Sequence, residues 1–169
     1  MTVGTALVVG KRALIARLQA NATLTAAGVK ISYRSPILPT DLKATDGDYE
    51  AIWLGDATTT NTIPVLTAGN LHRDETSVLD VMVQVINPGT ASDDGVDLQE
   101  QADLRAAEIL TEIERTLANN VDLSVTDPAR FEALFLGASK HVTGFLGNGG
   151  AYGSRFECRV EFTARLTPS

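Results

Sequence analysis

From Arg155 to Leu166 apolar and polar positions alternate without a break. Phe156, Cys158, Val160, Phe162, Ala164 and Leu166 fall on one side, and Arg155, Glu157, Arg159, Glu161, Thr163 and Arg165 on the other. Side chains on a strand change faces at every residue, so the pattern predicts a β-strand with one buried and one charged face. At ~3.3 Å per residue it runs roughly 40 Å, longer than the strands of most compact domains. The charged face admits two readings. It stays in water as the outer side of an antiparallel sheet, or Arg155, Glu157, Arg159 and Glu161, alternating in sign, meet another copy of the chain. A second long strand is predicted over Glu75 to Ile86, with Leu79, Val81, Val83 and Val85 on one face. Asp80 and Gln84 share the other face with Val78, Met82 and Ile86. Apolar residues on both faces suit a central strand covered by a helix on one side and by something else, such as a neighbouring subunit, on the other.

Helical spacing marks two segments. Residues 5–21 gather Leu7, Leu14, Ile15 and Leu18 on one side, with Lys11 laying its methylene stem along the same stripe. Leu98 to Ala118 places Leu98, Ala102, Ala106, Ile109, Leu110, Ile113 and Leu117 on one arc. Asp97 with Glu100 three residues on resembles a capping box at its start, and Asn119-Asn120 supplies a stop. Leu104 sits on the outer face beside Glu100, Glu108, Thr111 and Arg115, either as a lone surface leucine or as a small contact point.

Shorter strands are predicted over Val29 to Tyr33, Glu50 to Leu54 and Val142 to Leu146. Residues 35–49, with Pro36, Pro39 and Asp46-Gly47-Asp48, and residues 55–73, with Thr58-Thr59-Thr60-Asn61-Thr62 and Pro64, read as two long loops. Ordinary connections run about 4–6 residues, so these loops are places to look for binding surfaces. Gly147-Asn148-Gly149-Gly150 reads as a hairpin turn into the last strand. The expected class is α+β, a single domain over residues 1–169 with a mostly antiparallel sheet covered by two helices.

A hydrophobic share of 44% and a charged share of 21% are those of a globular chain. The net charge of −7 argues against capture of DNA or RNA through phosphates, which draws on clustered Lys and Arg. The single cysteine, Cys158, has no internal disulfide partner and lies on the apolar face of its strand, as suits a protein assembled in a reducing cytosol. The basic pair Lys11 and Arg12 follows the apolar run Val3 to Val9, the reverse of the order in a secretory signal. No run approaches the roughly 20 apolar residues of a membrane span, so the expectation is a soluble chain without a membrane partner.

Tests for chemistry return little. Gly144 to Gly150 is glycine-rich but leads into a strand, whereas a phosphate loop must lead into a helix. His72 and His141 are far apart and have no Cys or carboxylate at zinc spacing. The acidic clusters at 46–50 and 93–97 lack the spacing of a calcium loop. No serine stands in a nucleophile elbow. Paired carboxylates for acid and base work would have to be assembled in three dimensions from the 21 acids. The expectation is a protein that is not an enzyme, with no cofactor, no metal and no catalytic residue.

The N-terminal helix, the Val29-to-Tyr33 strand, the strand beginning Arg73-Asp74-Glu75 and running through Leu79-Asp80-Val81-Met82-Val83-Gln84-Val85, the Ala102-to-Leu117 helix and the final alternating strand together resemble the tail terminator proteins of long-tailed bacteriophages, of the minor tail protein U type. The resemblance covers most of the chain and rests on element order and residue texture, since that family has no short diagnostic motif. It implies a homo-oligomeric, hexameric ring in the neck of the virion tail, assembled in the host cytoplasm. Such a ring ends polymerisation of the tail tube protein and meets the head-completion (connector) protein, while genomic DNA passes through unbound. The acidic balance suits a channel whose cargo must slide. On this reading Arg155, Glu157, Arg159, Glu161 and Leu104 are the candidate inter-subunit contacts. The alternatives are another head-to-tail connector or a tail tube component, or, in a different class, a small α+β ligand-binding or enzymatic domain with a pocket lined by His141 and acids.

Overall fold

Alternating and helical patterns resolve into eight elements in the computed structural model, which describes residues 5–36, 48–62, 73–87, 95–128, 130–145 and 151–166. In chain order they are α1 (Ala6–Gln19), α2 (Ala22–Ala26), β1 (Lys30–Ser32), β2 (Tyr49–Thr62), β3 (Arg73–Asn87), α3 (Gly95–Ala118), β4 (Arg130–Phe145) and β5 (Tyr152–Leu166). The strands form one sheet in the order β1-β2-β3-β5-β4, and only the short β1–β2 pair is parallel. The fold is therefore α+β with a mostly antiparallel sheet. Beyond the two expected helices it has the short α2, which Asn21 opens by accepting the Thr23 and Leu24 N–H groups at 2.9 and 3.1 Å.

α1 and α3 cover one face of the sheet. Leu79, Val81, Val83 and Val85 of β3 and Cys158, Val160, Phe162 and Ala164 of β5 pack there against Leu14, Leu18, Ala102, Ala106, Ile109 and Ile113. These are the faces that the alternation and the helical arcs select. The close approach of α1 depends on Gly10, where a Cβ would stand 2.8 Å from the Phe162 ring and 2.9 Å from that of Phe131. The N-terminus of α1 is fixed from the sheet. Glu75 Oε1 accepts from Thr5 Oγ1 at 2.6 Å and from the Ala6 and Leu7 N–H groups at 2.8 and 3.2 Å.

Several boundaries differ from expectation, those of β2 and β4 the most. β2 runs on to Thr62, so residues 55–62 of the expected 55–73 loop are strand, with Thr58 to Thr62 paired to Val78 through Asp74. Threonine is β-branched and favours extended backbone, but a strand exposed on both faces carries no hydrophobic period to read. β4 occupies all of Arg130–Phe145, well beyond Val142 to Leu146. Register shifts between Phe135 and Gly137 and between Ala138 and Lys140 break its alternation, and Gly137 takes φ +100°, open to glycine and strained for other residues. α3 begins at Gly95, which puts Asp97 in the first turn instead of at the cap. α1 ends at Gln19 with Ala20 as its C-cap, short of residue 21. Residues 37–47 and 63–72 of the two expected loops, and the turn at 147–150, lie outside the described residues. Among those described, no helix is long and apolar enough to cross a membrane, which says nothing of strands.

Candidate functional site

The face of β5 that turns away from the helices carries Arg155, Glu157, Arg159 and Glu161, in the alternation that the sequence predicts. Their neighbours on β3 are Gln84, Met82, Asp80 and Val78, and on β4 Val142, Lys140, Gly137 and Leu134. Arg159 thus lies beside Asp80, and Glu157 beside Lys140. Arg159 is exposed, while Arg155, Glu157 and Glu161 are half-buried. Arg155 is already engaged within the chain. Its Nη2 donates to Gln84 Oε1 at 2.9 Å, and its guanidinium lies 5.7 Å from the centre of the Trp53 ring. Gln84 is fully buried, and its Nε2, like Arg155 Nε, has no hydrogen-bond partner among the described residues.

Beside these charges Tyr49, Ala51, Trp53, Ile86 and Ala151 form a second apolar cluster with Met82 packed against it. All five are buried within the single chain, so the apolar residues on this side of β3 do not depend on a neighbouring subunit for cover at this end of the sheet. Burial raises the Tyr49 phenol above its ordinary pKa, and Lys30 Nζ sits 4.5 Å from the centre of its ring. Glu50, next along β2 and facing the helices, is held by Arg105 of α3 in a fork of 2.6 and 2.9 Å. That hydrogen bond pushes the Arg105 guanidinium still further up and accounts for Glu50 as a structural acid in place of a cation ligand.

Among the described residues, two long strand edges have no strand beyond them. Among the described residues, β1 pairs only with Ala51 to Trp53, which leaves the outer edge of β2 from Gly55 to Thr62 without a strand. β4 is the opposite edge, paired with β5 alone apart from the Ala133 N–H, which donates to the Val121 carbonyl. Leu134 and Leu136 project from it with 58% and 47% of their surface exposed. Leu104, on the outer face of α3 as expected, is 60% exposed. The five candidate contact residues therefore lie on two surfaces, four on the sheet face and Leu104 on the helix layer.

His141, named in the alternative reading beside acids, does meet an acid and a hydroxyl, from Asp103 and Ser154. Its Nε2 lies 2.8 Å from Ser154 Oγ and 3.2 Å from Asp103 Oδ1, with the ring stacked 4.0 Å from Phe156. A nucleophilic triad uses both ring nitrogens, one toward the serine and the other toward the acid. Here both partners share one nitrogen, and Ser154 is fully buried. The group ties β4, β5 and α3 together and arms no nucleophile in this arrangement. His72 lies outside the described residues, among which no cluster of His, Cys, Asp or Glu is suited to a metal.

Cys158 is a core residue. Its Sγ donates to the Val81 carbonyl at 3.4 Å, and burial pushes the thiol up to about 12. The unfolded thiol ionises near 9.0, so this group's contribution to stability is complete below that pH and is lost as pH climbs toward about 12. Native protein near neutral pH is expected to resist iodoacetamide, with labelling only as fast as the chain unfolds. Rapid stoichiometric labelling of folded protein would place the thiol at the surface. No protein-family model matches the chain, and no curated protein is significantly similar to it.

Proposed function

We propose that the protein is a structural subunit of a ring, of the kind that caps a phage tail tube, ends its polymerisation and joins it to the head-completion proteins. The observation that carries the reading is the reach of the sheet. β2, β3, β4 and β5 are 14, 15, 16 and 15 residues long, about 50 Å each, and among the described residues the helices cover one face only. The far part of β2, from Asp56 to Thr62, is exposed apart from half-buried Ala57, and has a free outer edge among the described residues. An edge of this length offers a row of unpaired N–H and C=O groups to another chain. Function by surface complementarity also agrees with the single-nitrogen geometry at His141, which lacks the arrangement of a triad. The net charge of −7, repeated around a ring, repels DNA in its channel and lets it slide.

Negative-stain microscopy of the purified protein, alone and mixed with tail tubes, tests this. The expected result is a ring of six, free in solution or formed on the tube end, and tubes that stop growing once capped. Long stacks of the protein itself would make it a tube component. A chain that stays single and leaves tubes uncapped would remove the reading altogether.

A further inference from the structure

We propose that two copies of the chain pair edge to edge through the far half of β2, as an antiparallel dimer about a two-fold axis. The inference goes beyond the ring reading and does not need it, because a self-pairing edge joins copies two by two whereas a ring closes through unlike patches. From Thr58 to Thr62 every residue is exposed, although the side chains of a strand alternate between its two faces. The cover on the helix side stops one strand short. Glu75 and Ser77 of β3 are each 1% exposed, while Asn61 and Thr59, their pairing partners on β2, are exposed. Among the described residues no strand lies beyond β2 at this end, so β3 alone supports it.

The composition of this edge selects a second copy of itself as the occupant. Residues 57–62, Ala-Thr-Thr-Thr-Asn-Thr, carry no charge and no proline, the devices that keep an edge from pairing. Threonine also favours extended backbone. The opposite edge is protected. β4 carries Arg130, Glu132 and Lys140 and two register shifts, its Gly137 takes φ +100°, and its Ala133 N–H already donates to the Val121 carbonyl. β4 of another copy is therefore a poor partner for β2, and β2 itself a good one. Centred on Thr59, an antiparallel pair sets Thr58 opposite the second copy's Thr60 and Asp56 opposite its Thr62, so no acid meets an acid. Threonine pairs across the two strands then add to the main-chain hydrogen bonds.

Charges placed on the edge test the pairing. One variant carries Thr58→Lys with Thr60→Lys, the other Thr58→Glu with Thr60→Glu. Both positions are exposed, and circular dichroism checks that each variant folds. Sedimentation velocity at low salt reads self-association. The native chain is expected to form a dimer that dissociates on dilution. Each variant alone should associate at least about tenfold more weakly, because like charges then stand opposite each other across the pair. An equimolar mixture of the two should recover the dimer, since every lysine then faces a glutamate. A native chain that stays single at tens of micromolar, variants that associate as the native chain does, or a mixture no better than its parts would each overturn the pairing. Capping of tail tubes by the native chain is read separately and bears on the ring alone.

Discussion

Replacing Phe162 with Ala is expected to cost about 3–5 kcal/mol, a large share of the stability of a domain this size. Phe162 is 1% exposed, and its ring lies 5.6 Å from that of Phe131 at a tilt of 34°. Both rings stand within 3 Å of where a Cβ on Gly10 would be, so the truncation opens a void where helix and sheet meet. The neighbours have little freedom to close it. α1 is held at its first turn by Glu75, and β5 is paired on both sides from Tyr152 to Arg165. A denaturant titration of Phe162→Ala against the native chain reads the loss directly. Unchanged stability with lost assembly would mean that the face taken as core is an interface. Gly10→Val attacks the same junction from the other side by overpacking, at about 1–3 kcal/mol.

Phe162 was legible because strand alternation and helical spacing are period signals, strong wherever one face is buried and the other wet. They identify the core faces of β3, β5 and α3 residue by residue. The signal fails where that contrast fails. Thr58 to Thr62 meets solvent on both faces, so its strand has no period, and in β4 the two register shifts move the apolar positions out of phase. The charged face of β5 was legible as a face and no further. That Arg155 is engaged by Gln84 and Trp53 follows from strand pairing across the sheet, at a separation of 71 residues in the first case. The His141 group is a similar product of topology, joining residues 13 and 38 positions away.

Glu75→Ala is expected to cost about 3 kcal/mol, the range for a buried charged partner whose removal leaves polar groups unsatisfied. In sequence Glu75 is only an early residue of a strand. In the fold it is 1% exposed and receives the first turn of α1 from across the sheet, 69 residues from the Ala6 N–H. A carboxylate there satisfies N–H groups that a helix start leaves free, and its charge lies at the positive end of the helix dipole. Arg73 Nη2, 3.6 Å from the other oxygen, offsets part of the cost of burying that charge. Alanine would leave the Ala6 N–H without its acceptor, while the Leu7 N–H keeps Thr5 Oγ1 at 3.2 Å. Thr5→Ala should therefore cost less, about 1 kcal/mol, as an ordinary N-cap does. Because the two side chains share a hydrogen bond, their losses should not add, and a double-mutant cycle by chemical denaturation should return a coupling of about 1 kcal/mol. Full additivity would mean that Glu75 and Thr5 hold α1 separately. A negligible loss in Glu75→Ala would mean that water replaces the carboxylate and that α1 is anchored by its apolar face alone.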